Sequence, residues 1–340
     1  MPLKVEKPAE ITHLPQLKRV LRRGTDCLVI GLINNMPDAA LETTELQFSA
    51  LLAAAAGQRE IHLRFSYLPE VKRGAEAQRY LRESYWPLQA LQDDLPDALI
   101  VTGAEPLAPI LTQEPYWQRF TEVLEWSEAQ TVSSIWSCLA AHAAVQHLSG
   151  ITRQKLAEKC CGVFAHTLLQ GHPLNAGLVS PLLTPQSRWN DLPASRLRNA
   201  GYAIASESVT TGANVFTKQG RSLLVFFQGH PEYESGTLLR EYRRDISRFL
   251  SGLNPQYPTL PRGYFSESAS ARLAEFREQA IAHRSPEWIS RFPFEAEAKE
   301  LVHSWKAHST ILYANWLSHI EKERGTPRKL APFRDDIVTR

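Results

Sequence analysis

The apolar positions along the chain fall into two rhythms. CLVIGLI at 27–33 is a continuous β-branched and aliphatic run, as expected of a strand covered on both faces, and the Glu-, Ala- and Leu-rich stretch from Glu42 to Ala56 has helical spacing. IHLRFSYL predicts a second strand, and DALIVTG (97–103) a third that stops at Gly103. From Pro115 to Gln130, Trp117, Phe120, Val123 and Leu124 share one helical face. TVSSIWSC predicts a fourth strand, which runs directly into the Ala-rich helix LAAHAAVQHL.

Strands alternating with helices imply crossover units and a mostly parallel sheet, so the predicted fold class is α/β, a mostly parallel open sheet with flanking helices. Between about Cys160 and Phe227 the rhythm changes. CCGVFAHTLL, YAIASES, ANVFTK and SLLVFFQG are short runs separated by Pro, Asn and Gly turns, which predicts antiparallel strands appended to the sheet. Pro-containing stretches around 254–262 lead into C-terminal helices. The clearest runs from Val302 to Glu321, where Trp305, Ile311, Leu312, Trp316 and Leu317 recur at helical spacing. It is expected to pack back on the body. The organisation expected is one domain over 25–322, with an N-terminal extension (1–24) and a C-terminal tail (323–340).

Composition narrows the function classes. The 340 residues are 43% apolar and 22% charged with a net charge of +2, values of a globular chain that can bury a large core. Lys and Arg form no dense stripe, which argues against nucleic acid as a partner. The cluster Lys18, Arg19, Arg22 and Arg23 reads as a solvated helix face. The N-terminus has early prolines and no apolar segment of the secretory kind, and no run is long enough for a membrane helix, so a cytoplasmic protein is expected. Four cysteines without zinc-type spacing fit a reducing compartment and no metal site.

One of those cysteines carries the candidate chemistry. Cys138 stands where a strand turns at once into a helix, and the unpaired amides and partial positive charge of a helix N-terminus favour a thiolate there and later an oxyanion. Ala140, Ala141, Ala143 and Ala144 permit close approach of that helix to the sheet, and the Leu139 N–H is the natural first oxyanion donor. Ligands of open α/β sheets bind beyond the carboxyl ends of the strands; Cys138 and Gly103 both lie there. A buried structural cysteine is the bland alternative. The segment LLVFFQGHPEY counts against it: His230 and Glu232, two apart at the end of a strongly apolar strand, point the same way, so Glu232 can hold His230 in one tautomer while the other nitrogen faces a thiol. Cys160 and Cys161 are adjacent and face opposite ways, Cys27 is expected in the core, and His142 is expected to pack.

NNMPDAALETTELQF, LIVTGAEPLAPILTQEPYW, SSIWSCLAAHAAVQHLSGI, LLTPQSRWNDLP, FFQGHPEY and REYRRD together resemble the homoserine O-succinyltransferase family, whose fold is similar to that of class I glutamine amidotransferases. The likeness runs from roughly residue 25 to residue 320. It implies transfer of an acyl group from acyl-coenzyme A, a co-substrate and not a permanent cofactor, to the hydroxyl of L-homoserine in methionine biosynthesis. Cys138 would carry the acyl group, His230 would act as base and Glu232 would orient it. The resemblance also implies substrate contacts for Arg244 (the amino-acid carboxylate), Ser187 and Lys159, with Arg188 and Glu241 beside them. The small-molecule substrates are the partners implied; the oligomeric state stays open between a monomer and a homodimer, with the extensions as flexible surface or oligomer contact.

The sequence departs from the family in two places. In the loop after TGA a glycine goes with succinyl and a glutamate with acetyl, yet the matching position is Leu107; Glu105, two residues earlier, could project into the pocket. Succinyl is favoured slightly and acetyl stays open. A family lysine after the Met-Pro pair is replaced by Asp38, Ala39 and Ala40. A glutamine amidotransferase-type hydrolase and a serine acyltransferase are the alternatives, because one methylene separates serine from homoserine.

Overall fold

A computed structural model of the protein describes residues 3–8 and 27–324. In chain order the elements are β1 (Leu3–Val5), β2 (Cys27–Ile33), α1 (Leu41–Ala55), β3 (Glu60–Ser66), α2 (Ala75–Ser84), α3 (Leu88–Asp93), β4 (Ala98–Thr102), α4 (Trp117–Gln130), β5 (Ser133–Ser137) and α5 (Leu139–Ser149). There follow β6 (Gln154–Leu168), β7 (Leu182–Asp191), α6 (Ala194–Asn199), β8 (Ala203–Ser208), β9 (Gly212–Gln219) and β10 (Leu223–Phe227). The chain then forms α7 (Thr237–Leu250), α8 (Glu267–Ala282), α9 (Phe294–Glu300) and α10 (Lys306–Glu323).

The strand order is β1-β3-β2-β4-β5-β10-β9-β8-β6-β7. From β1 to β10 every pairing is parallel, and from β10 to β7 every pairing is antiparallel. The α/β sheet expected from the alternation is therefore present. One expectation needs correction: SLLVFFQG does not belong only to the antiparallel extension, because β10 lies parallel to β5 and is the hinge between the two halves. LLTPQSRWND is a further strand, β7, that apolar rhythm did not predict. It crosses from core to site with mixed polarity and carries Pro185.

The sheet is buried on both faces. Leu28, Ile30 and Leu32 point toward α1 and α10, where Leu52, Leu312, Tyr313 and Trp316 pack. On the other face Leu99, Val101 and Trp136 meet Phe120, Val123 and Leu124 of α4 and the alanines of α5. The C-terminal helix thus packs back on the body as expected, although it begins at Lys306 and Trp305 serves as its N-cap residue. Helices α7 and α8 form a third apolar cluster with Phe292. Of the N-terminal extension, Leu3–Val5 adds a parallel edge strand to β3; Lys18, Arg19, Arg22 and Arg23, and the tail from residue 325, lie outside the described residues. Cys27, expected in the core, is half-buried at the first position of β2.

Candidate active site

Strand register brings the candidate triad together. β5 and β10 run side by side with Ser137 opposite Phe227, so the residues just past both strand ends share one rim of the sheet. Cys138 occupies the turn into α5 with φ 52° and ψ −112°, a region costing a non-glycine residue about 1–3 kcal/mol that persists only where its surroundings impose it. Here the Cys138 N–H donates to the Phe227 carbonyl (2.7 Å) and its carbonyl accepts from the His142 N–H (3.2 Å). This is the geometry of a nucleophile elbow, with the side chain presented above the strand end. The Leu139 N–H, in the first turn of α5, has no intrahelical acceptor. Gly103 lies against it: a Cβ on Gly103 would come within 2.5 Å of Leu139 Cβ and 3.2 Å of the Ala140 nitrogen.

Beyond β10, Gly229 sits over a buried polar network, where a Cβ would meet Gln186 Nε2 at 2.5 Å and Asn214 Oδ1 at 2.7 Å. The His230 N–H then donates to the Pro185 carbonyl at 2.8 Å. His230 Nδ1 and Glu232 Oε1 are 2.8 Å apart, and both residues are under 8% exposed. That leaves Nε2 for the Cys138 thiol, which is within hydrogen-bonding reach of the imidazole. Burial alone would lower the basicity of His230. The Glu232 carboxylate and the Cys138 sulfur outweigh it and hold the imidazole well above its ordinary range.

A second cluster borders the triad. The Ser187 hydroxyl donates to Glu241 Oε2, the Tyr233 hydroxyl donates to Glu241 Oε1 at 2.7 Å, and Lys159 Nζ lies 2.7 Å from Asp245 Oδ2 and 3.9 Å from Glu241. The Arg244 guanidinium meets Asp245 Oδ1 at 3.1 Å with half of its side chain exposed. Lys159, Ser187 and Arg244 are thus brought together. Asp245 is held below the usual carboxylate range because Lys159 and Arg244 outweigh its burial.

The family model for homoserine O-succinyltransferase matches residues 9–326. The chain belongs to this family. It is 45% identical over 294 residues to the homoserine O-succinyltransferase of Rhodopseudomonas palustris, covering 86% of this chain and 88% of that one. It is 43% identical to the one from Methylorubrum extorquens, covering 86% of each, and 34% identical to the one from Thiothrix nivea, covering 96% and 94%. Among solved structures, a glutamine amidotransferase from Methylobacillus flagellatus covers 87% of this chain and 96% of its own at 12% identity and a TM-score of 0.47.

The loop between β4 and α4, where a donor-discriminating position is expected, is held by hydrogen bonds within it and by an ion pair to α7. Leu107 is 67% exposed, and its N–H and that of Ala108 donate to Glu114 Oε1 at 2.9 and 2.8 Å. Glu105 turns toward α7, its carboxylate 3.5 Å from Arg248 Nη2. Asp38, standing near the missing family lysine, is engaged by Arg73 and by the Gly74 N–H at 2.8 Å.

Other expectations resolve as structure. His142 packs inside, paired with Gln228 at 2.9 Å, and burial lowers its basicity to about 3. Arg188 is buried and bonded to Gln186, Asp191 and the carbonyls of Asn190 and Thr211, so it braces β7 and does not face the substrate cluster. Cys161 is buried and Cys160 half-buried, in keeping with opposite faces. Sequence reasoning missed Glu114, Asp245 and Arg153. Arg153 is half-buried and lies in electrostatic range of Tyr116, Glu114 and Cys138; a single Arg in a polar stretch after α5 gave no signal. Among the described residues no helix is long and apolar enough to cross a membrane, and no His, Cys, Asp and Glu group is placed to hold a metal ion.

Proposed function

We propose that the protein transfers a succinyl group from succinyl-coenzyme A to the hydroxyl of L-homoserine through a thioester on Cys138. The observation that carries this reading is the half-buried Cys138 at the nucleophile elbow facing the buried His230–Glu232 pair. The Cys138 sulfur attacks the carbonyl carbon of the donor thioester, and its proton resides on His230 Nε2. Negative charge on the carbonyl oxygen is received by the Leu139 N–H at the start of α5, beside Gly103. When the tetrahedral species collapses, the carbon–sulfur bond to coenzyme A breaks, His230 protonates the departing thiolate, and Cys138 keeps the acyl group.

In the second half the homoserine hydroxyl gives its proton to His230 as its oxygen attacks the Cys138 thioester. The Cys138 sulfur then leaves and the ester is released. Glu232 keeps Nδ1 protonated throughout, so Nε2 alone does the proton transfer. An amino-acid acceptor suits the neighbouring cluster, where Arg244 offers a fork to a carboxylate while Glu241 and Asp245 offer negative charge to an ammonium. Lys159 and Ser187 hold those two carboxylates in place and would contact the acceptor.

Succinyl is preferred over acetyl in this reading because Arg153, in range of Cys138, supplies positive charge suited to the distal carboxylate of a succinyl group, and because relatives up to 45% identical carry that name. The test is a matrix of succinyl- and acetyl-coenzyme A against L-homoserine and L-serine, read as thiol release. Fastest release with succinyl-coenzyme A and homoserine is expected. Glutamine hydrolysis indifferent to any acyl-coenzyme A would overturn the proposal in favour of an amidotransferase-type hydrolase.

A further inference from the structure

The triad and the acceptor cluster are joined by a side chain that the steps above do not use. Tyr233 follows Glu232 directly and is 6% exposed. Its ring lies over the His230 imidazole with centroids 4.2 Å apart and planes 15° from parallel. Its hydroxyl donates to Glu241 Oε1 at 2.7 Å, and the other oxygen of that carboxylate takes the Ser187 hydroxyl. The backbone is clamped at both ends. The Tyr233 N–H donates to the His230 carbonyl at 3.2 Å, and the Tyr233 carbonyl accepts from Trp305 Nε1 at 2.7 Å. Trp305, Leu238 and Cys161 pack around it.

From this geometry we infer that Tyr233 is a positioning residue with two separable tasks: its ring fixes and stabilises the His230 imidazolium, and its hydroxyl sets the Glu241 carboxylate that receives the acceptor. A π-face within about 6 Å of a cation attracts it, and a ring stacked this closely excludes water from one side of the imidazole. The groups bearing on His230 are then Glu232 on its own loop, Cys138 at the end of β5 and the Tyr233 face. Tyr313 of α10 lies in the field of Glu232. Glu241 belongs to α7, so the one tyrosine spans the base and the acceptor side.

The second task rests on the acyl-transfer reading; the first does not. Two variants divide them. Tyr233→Phe keeps the ring and removes the hydroxyl, whereas Tyr233→Leu removes both. In the resting protein without substrate, the rate of Cys138 alkylation by iodoacetamide is followed against pH by peptide mass spectrometry, which reads the pH window in which the thiol is reactive beside His230. Tyr233→Phe should leave that window unchanged, and Tyr233→Leu should narrow it from both sides. With succinyl-coenzyme A, Tyr233→Phe should release coenzyme A in the first half-reaction within about twofold of the parent while the KM for homoserine rises about tenfold.

A merely structural role would lower the reactive fraction of both variants and leave window and KM alone. An unshifted window in Tyr233→Leu overturns the ring's task. An unchanged homoserine KM in Tyr233→Phe overturns the hydroxyl's task. If the parent releases no coenzyme A, the acyl-transfer reading and the hydroxyl's task both fall, and the alkylation profiles still decide the ring's.

Discussion

Cys138 is held in a backbone conformation that a cysteine adopts only under constraint, and the basicity of its neighbour His230 is raised because two partners outweigh its burial. Glu232 is the partner that acts through charge and geometry together. Glu232→Gln preserves shape but removes the charge that favours imidazolium, and it permits the wrong tautomer. The turnover number should fall by about 10²–10⁴-fold. The alkaline limb of the rate profile should also move to lower pH, because the raised basicity of His230 is lost. Coenzyme A release measured across pH checks both. At this scale the sequence was most informative where chemistry is local. Cys138 was legible from a strand running into a helix, and the His230–Glu232 pair from a spacing of two in an extended stretch. Glu114 was not legible because it ties an irregular loop that has no rhythm of its own, and Asp245 was not because its partner Lys159 reaches it through the fold. For Asp245 that means chain separations of 86 residues.

Elements meet at the rim of the sheet, and one close meeting is between the end of β4 and the start of α5. Gly103 is needed there because any side chain would drive into Leu139, displacing the amide assigned to the oxyanion. Gly103→Ala should therefore cost about 1–3 kcal/mol of stability and slow the first half-reaction more than the second-half KM changes. Urea midpoints and the burst of coenzyme A release separate the two effects. The strands β2 and β4 were legible because buried parallel strands read as nearly unbroken apolar runs. β7 was not, since its polar side chains serve the network under Gly229 and the acceptor cluster. β10 was legible as a strand, yet its parallel pairing with β5 was hidden because register across ninety residues leaves no local trace.

Across the whole molecule, buried titratable groups set a stability maximum near neutrality. Burial lowers His142 to about 3 and His166 to about 4, so between the ordinary histidine range and those values the unfolded chain takes up protons that the folded protein refuses. Stability falls as pH drops through that window. Asp245, held below its ordinary range, adds a loss in stronger acid. His230 acts in the opposite sense: its contribution is complete below the unfolded histidine value and is lost as pH rises through its raised folded value. Thermal melts from pH 4 to pH 9 should peak near neutrality, and replacing His166 by Gln should flatten the acid side. The edge strand Leu3–Val5 belongs to this scale as well: three residues carry no rhythm of their own, and only the exposed edge of β3 makes them a strand.

The central claim is that Cys138 carries the acyl group, and intact mass after incubation with succinyl-coenzyme A and no acceptor tests it most directly. One succinyl adduct should appear, map to the Cys138 peptide, discharge on addition of L-homoserine, and be absent from Cys138→Ala. An adduct that never forms, or full transferase activity retained by Cys138→Ala, would contradict the account.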